Sequence, residues 1–258
     1  MAAREAADGR ADASDLVYGL HAVREAAGYD PAGIEAVWVE HGRRDAKLKR
    51  LLDKLDRSGV PVRRVARKEL DRMTGGAVHQ GVAARYRGAA PRGEADLEEA
   101  VAAAATPLLL VLDQVQDPHN LGACLRTAAA AGALGVVASR DRAVGLTSAV
   151  HKSAAGALHH VHFFQVTNLA RTLERLKEHG VVVVGAAGSA PLSCYEVDLT
   201  GGAALVVGGE ERGMRRLTRE RCDSVVAIPM AAGVESLNVS VAAGVLLFEA
   251  VRQRGLPL

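Results

Sequence analysis

Apolar and polar positions follow one pattern in the first third of this 258-residue chain and another from Pro107 onward. In the first stretch, short strand-like segments are interleaved with amphipathic ones. IEAVWVE (34–40), VPVRRV (60–65) and GVAARY (81–86) are predicted strands. RDAKLKRLLDKLDRSG (44–59) is a predicted helix: Leu48, Leu51, Leu52 and Leu55 share one face, lysines and arginines the other, and Gly59 ends it. KELDRMTGG (68–76) reads as a short helix and its stop. SDLVYGLHAVREAAG (14–28) has helical spacing in Leu16, Leu20, Val23 and Ala27, with Ser14 or Asp15 as cap. Alternating helices and strands predict a small α/β domain over 14–88. The low-complexity, acidic stretch that follows is expected to be a linker over 89–106 with a weakly helical second half. Residues 1–13, charges mixed with alanine, are expected to form a disordered tail.

Over 107–258 the pattern changes to long apolar runs: LLLVLDQV (108–115), GVVAS (135–139), HHVHFFQV (159–166), VVVVGAAG (181–188), AALVVGGE (203–210) and VVAIPM (225–230). Continuous apolar runs suit strands covered on both faces, as in a parallel sheet. NLGACLRTAAAAG (120–132), NLARTLERLKEHG (168–180) and SLNVSVAAGVLLFEAVRQ (236–253) suit the crossover helices. An open parallel sheet binds its ligand at the carboxyl ends of the strands. The informative loops are therefore DQVQDPHN (113–120), GAAGSAP (185–191), GGEERGM (208–214) and PMAAGVESLN (229–238).

Composition narrows the chemistry. No run approaches the roughly 18 to 20 apolar residues of a membrane span, and the amino terminus has neither a signal nor a transit pattern. A cytoplasmic protein with no membrane attachment is expected. Cys124, Cys194 and Cys222 are far apart and form no CxxC pair, which predicts free thiols. His159, His160 and His162 have no carboxylate or cysteine at ligand spacing, so no metal site is expected. The net charge is only +2, but 14–88 carries 15 Lys and Arg against 10 Asp and Glu, while 107–258 carries 14 against 13. That excess fits a phosphate-binding surface or a solvated helix face, and charge alone leaves both open. GxxxxGK[ST] and GxSxG are absent, and GAAG lacks the third glycine of a dinucleotide fingerprint.

Three motifs carry a family resemblance. NLGACLRTAAAAG, LVVGGEERGM (205–214) and IPMAAGVESLNVSVAAGVLLFEAVRQ (228–253), in that order on one domain, closely resemble those of the SpoU (TrmH-like) branch of the SPOUT RNA ribose methyltransferases. YGLHAV (18–23), GGAVHQG (75–81), VTNLART (166–172) and RLTRERCD (216–223) resemble the members that methylate a guanosine of 23S ribosomal RNA, so the likeness runs from about Tyr18. It implies a trefoil-knotted parallel-sheet SPOUT domain at the carboxyl end and a smaller, ribosomal-protein-like α/β RNA-binding domain ahead of it. It also implies S-adenosylmethionine as cofactor, a homodimer whose active site draws on both subunits, and 23S rRNA or its precursor as partner, modified in the peptidyl-transferase P loop. The same framework serves enzymes acting on tRNA or other rRNA nucleotides. An assembly factor that binds rRNA without catalysis is the alternative of a different class.

Transfer of a methyl group from a sulfonium to a ribose 2′-hydroxyl needs oxygen, carbon and sulfur nearly in line and a route for the departing proton. Positioning can supply roughly 7 to 11 kcal/mol of such a barrier. The resemblance implies catalytic roles for Asn120, Arg126, Glu210, Ser236 and Asn238, and a cofactor pocket built from Gly208, Gly209, Ile228, Met230 and Leu237. A guanidinium ordinarily stays charged, so Arg126 is open to two roles, stabilising the alkoxide or helping to deprotonate the hydroxyl. Asn120 is also a good helix N-cap and Glu210 a good acid near a helix start, which are their plain structural explanations. Glu211 stands where the family often has a second glycine, which bears on the conformation of that loop. His79 and Gln80 fit an RNA contact or a turn equally well. Val241, Val245 and Phe248 are expected in the core or a dimer contact.

Overall fold

A computed structural model describes residues 16–255 apart from 30, 87–90, 142, 155, 211, 233 and 235. The predicted tail over 1–13, the caps Ser14 and Asp15, and Glu211 lie outside the described residues. The chain forms two compact units, 1–90 with 146–156, and 91–145 with 157–258.

Chain order in the first unit is β1 (Leu16–Tyr18), α1 (Leu20–Tyr29), β2 (Ile34–Glu40), α2 (Ala46–Arg57), β3 (Val62–Val65), α3 (Arg67–Met73) and β4 (Val82–Tyr86). Its sheet has the order β1-β4-β2-β3, with only the β2–β3 pair parallel. Val23 and Ala27 of α1 and Leu48, Leu51 and Leu55 of α2 are buried against Val37 and Val39, the core face of β2. Trp38 points the other way and packs with Leu70 of α3. The helix expected over 14–28 is divided: Gly19 takes φ 94°, and Leu16–Tyr18 pairs with β4 before the helix starts at Leu20. Hydrogen bonds to a sheet neighbour here outweigh helical spacing, which Leu16 satisfied by coincidence. The HQG segment forms a built turn. Buried His79 approaches Asp71 Oδ1 through Nε2 at 2.9 Å and accepts from the Gly81 amide through Nδ1, while Gln80 Oε1 accepts from the Leu20 amide at the start of α1.

The chain continues through α4 (Glu94–Ala103), β5 (Leu108–Asp113), α5 (Pro118–Ala130), β6 (Gly135–Ser139), α6 (Ser148–Ala154), β7 (His162–Val166), α7 (Leu169–Glu178), β8 (Val182–Ala186), β9 (Leu192–Ser193), β10 (Ala203–Gly208), α8 (Arg216–Glu220), β11 (Ser224–Ala227) and α9 (Val239–Gln253). Of these, α6 belongs to the first unit. The rest build a seven-stranded sheet of order β7-β6-β5-β10-β8-β11-β9, with every pair parallel. The apolar runs are buried because helices cover the sheet, as parallel strands require. The second half of 89–106, expected to be weakly helical, forms α4, and its Leu97 and Val101, four apart, are buried beside Phe164, Leu173 and Leu176 in this unit's core. Two large apolar residues one turn apart on a helix otherwise made of acids and alanines are a weak periodic signal, and packing decided their place.

Candidate active site

The site lies at the carboxyl end of the central strand pair. β5 and β10 run side by side to a last register pair, Asp113 and Gly208, so the loops that leave them are neighbours. After β5 the chain passes Gln114, a non-glycine residue at φ 66°, and enters α5. The N-cap is Asp117, whose carboxylate accepts from the amides of His119 at 3.2 Å and Asn120 at 3.1 Å. Pro118 occupies the first turn, where a missing N–H costs nothing. The helix therefore starts two residues before Asn120, and the capping explanation for that side chain does not hold.

Asn120 points across to the neighbouring loop instead. Its Nδ2 donates to Glu210 Oε1, and its Oδ1 accepts from Asn238 Nδ2 at 3.0 Å. Asn238 Nδ2 also donates to Glu210 Oε1 at 3.1 Å, closing a triangle among three residues from three separate segments. Asn238 is meanwhile the N-cap of α9, accepting from the Ser240 amide at 2.9 Å and from its hydroxyl. An ionised carboxylate only accepts hydrogen bonds, so Glu210 fixes the orientation of both amides. Two donors on Oε1 leave Oε2 without a hydrogen bond from the described residues.

The Glu210 loop depends on glycine. A Cβ on Gly208 would overlap the backbone of Gly213 and Met214, and one on Gly209 would come within 2.6 Å of the Gln114 carbonyl oxygen. The Gly209 amide donates to the Asp113 carbonyl at 2.8 Å, and Gly209 also bridges Gly213. Buried Asp113 accepts from Arg215 twice, from its backbone amide and from its Nε, each at 2.7 Å. Neither residue stands out in the sequence. The only signal is a lone acid ending the run LLLVLD, a polar group that burial obliges to find partners.

Two hollows flank Glu210. One, of about 270 Å³, is lined by Gly208, Gly209, Ile228, Met230 and Leu237, the five predicted cofactor residues, together with Ser236. The other, of about 660 Å³, has a more polar wall that includes Gln114, Gln116, Asp117, Asn120 and Arg212. Gly209, Glu210, Gly213 and Val239 belong to both, so Glu210 stands between them. Arg126 is not part of the triangle. It is exposed on α5, six residues beyond Asn120 and so about 240° further around the helix, and it makes no hydrogen bond or ion pair with the described residues. Cys124 is fully buried and its thiol is pushed up to about 12 by desolvation, which removes it as a nucleophile. Among the described residues, no group of three or more His, Cys, Asp or Glu could hold a metal ion, and no helix is long and apolar enough to cross a membrane.

Residues 107–248 match the SpoU rRNA Methylase family, and residues 16–91 match the domain described as RNA 2′-O ribose methyltransferase substrate binding. The chain is 52% identical over 242 residues to the 23S rRNA (guanosine-2′-O-)-methyltransferase RlmB of Haemophilus influenzae, covering 93% of this chain and 98% of that protein. It is 51% identical over 241 residues to the enzyme of the same name from Vibrio cholerae, with the same two coverages. Among solved structures, the SpoU methyltransferase AviRb from Streptomyces viridochromogenes, crystallised with AdoMet, shares the fold at a TM-score of 0.76. The two are 24% identical, over 93% of this chain and 89% of that one.

Proposed function

Because the chain belongs to the SpoU rRNA methylase family, we propose that it transfers a methyl group from S-adenosylmethionine to the 2′-hydroxyl of a guanosine in 23S rRNA or its precursor, in the peptidyl-transferase P loop. The observation that carries this is identity of about one residue in two along nearly the whole length of relatives named for that reaction. A match to a substrate-binding domain over 16–91 favours this assignment over a bare catalytic domain acting on tRNA. The basic first unit, with Lys49, Arg50, Lys54 and Arg57 exposed on α2 and Arg63 and Arg64 exposed on β3, suits an RNA backbone.

The smaller hollow fits the cofactor by its shape and lining. Two glycines let the chain come close, and Ile228, Met230 and Leu237 offer an apolar wall to an adenine whose edge backbone groups can reach. S-adenosylmethionine supplies an electrophilic methyl carbon on a sulfonium. The protein's part is to hold the ribose against it. Glu210, on the wall shared by both hollows, has Oε2 available for a ribose hydroxyl, while Asn120 and Asn238 keep the carboxylate from turning away. Ser236, on the cofactor side, is placed to contact the sugar. Arg126 is the cation offered to the reacting 2′-oxygen, in one of the two roles left open above: stabilising the alkoxide as its proton passes to solvent, or taking that proton itself.

Arg126 is exposed and is not bonded to this cluster among the described residues, which is the arrangement an active site shared between two subunits would need. α5 packs on α9, where Val241 is 50% and Phe248 39% exposed, with Val245 on the same stripe. A homodimer would cover that stripe and bring one subunit's Arg126 to the other's triangle. A trefoil knot at the carboxyl end belongs to the same proposal, supported by the likeness to AviRb and by the placement of β10 between β5 and β8. The enzyme would work in the cytoplasm, where ribosomes are assembled. Mapping ribose methylation in RNA from a deletion strain tests the assignment: one guanosine of the 23S P loop should lose its methyl group and regain it on complementation. A fully methylated P loop in the deletion strain would overturn it.

A further inference from the structure

We propose that Asp113 is a positioning residue for methyl transfer, acting through the loop that carries Glu210; this rests on the function proposed above. The loop leaves β10 at Gly208 and enters α8 at Arg216, and both of its ends are tied to Asp113. At the start, the Gly209 amide donates to the Asp113 carbonyl at 2.8 Å. At the finish, the Arg215 amide donates to Asp113 Oδ2 and Arg215 Nε to Oδ1, each at 2.7 Å. Glu210 lies between these ties, one residue beyond the first.

The Asp113 carboxylate is fully buried, whereas Arg215 is 35% exposed. A carboxylate withdrawn from water needs a donor for each oxygen. Arg215 meets both needs from one residue, so the carboxylate fixes a backbone position as well as a side chain. Hydrogen bonds to a charged group are stronger than neutral ones, which gives the loop a firm hinge where glycine has left it little stiffness of its own. Asp113 also begins the other loop of the site, with Asp117 four residues on and Asn120 seven. One residue thus sets the separation between the segment bearing Asn120 and the segment bearing Glu210. Their side chains meet only if that separation is held.

The test measures kcat at saturating S-adenosylmethionine and rRNA for Asp113→Asn, Glu210→Ala and the double variant. Asparagine has the same shape but turns one acceptor into a donor facing Arg215. The expected result is a fall in kcat of about a hundredfold, the scale on which a displacement near 1 Å acts, with KM for RNA within about twofold of wild type. In the Glu210→Ala background, Asp113→Asn should cause no further loss, because the two residues act as one unit. A merely structural role would multiply the two losses. Multiplied losses, or an Asp113→Asn variant at full speed, would overturn the proposal. If Asp113→Asn fails to fold, Arg215→Ala, which keeps the backbone tie, carries the same cycle with a loss of about tenfold. Hydrogen exchange at the Arg215 amide reads the clamp without catalysis. If the wild-type protein methylated no rRNA, the function would fall, yet lost protection at that amide in Asp113→Asn would still support the clamp and unchanged protection would still overturn it.

Discussion

Arg126 and Asn120 occupy the same helix and the same motif, yet the structure separates their surroundings. Asn120 is bonded to Glu210 and Asn238, while Arg126 is exposed and unbonded among the described residues. A guanidinium with no partner among the described residues is available to a substrate. Removing it should lower kcat by about a hundredfold or more, in the range seen when one donor to a developing oxyanion is lost. Arg126→Lys separates the two roles left open by the sequence. If the arginine is a charge partner, lysine restores part of the rate with an unchanged pH profile. If it accepts the proton, lysine moves the ascending limb of the profile, where rate rises with pH, to lower pH, since an ammonium releases its proton more readily than a guanidinium. Both residues were legible as candidates from the motif; which of them touches Glu210 was not, because that depends on a cap at Asp117 and a loop 90 positions away.

Element by element, the long apolar runs announced six of the seven strands of the second unit and missed the two-residue β9, α2 followed its leucine spacing, and α7 fell on a predicted crossover helix. Boundaries set by single residues were harder to see. Gly19 parts β1 from α1, and Leu97 with Val101 draws α4 into a core. α9 is anchored at its far end by Glu249, which is buried and accepts from Arg252 Nε and Nη2 at 2.8 Å each and from Gln253 Nε2 at 2.8 Å. Gln253 in turn bonds the backbone of Val197 and Leu199. The Arg252 hydrogen bonds, aided by Gln253, hold the Glu249 carboxyl below the ordinary carboxylate range. A depressed folded-state pKa stabilises the protein above the unfolded value, near 4.3, and that contribution is lost as pH falls through the lower folded value. Glu249→Gln should therefore lower Tm at pH 7, and the gap to wild type should close as pH drops from about 5 toward 3. Thermal melts followed by circular dichroism across that range would show it; a gap independent of pH would mean that packing, not charge, matters at this position.

For the whole molecule, the decisive question is whether one chain suffices for catalysis. If Arg126 of one subunit completes the triangle of the other, Arg126→Ala and Glu210→Ala should each be inactive alone and regain activity when mixed and allowed to exchange subunits. Each mixed dimer would hold one intact site and one doubly defective site, so its rate should approach half that of wild type. No recovery, with mixed dimers demonstrated by native mass spectrometry, would place the complete site in a single chain. The order of apolar runs, crossover helices and polar loops already specified an α/β chain with a parallel second sheet and strand-end chemistry, because periodicity and turn residues are local properties. The same letters also carried the motif residues by type. Only the tertiary structure decided that Asn120, Glu210 and Asn238 share one set of hydrogen bonds, that Asp113 ties down both ends of the Glu210 loop, and that Arg126 stands apart. Those contacts follow from strand order and from how closely two backbones approach at glycine, and no local pattern encodes either.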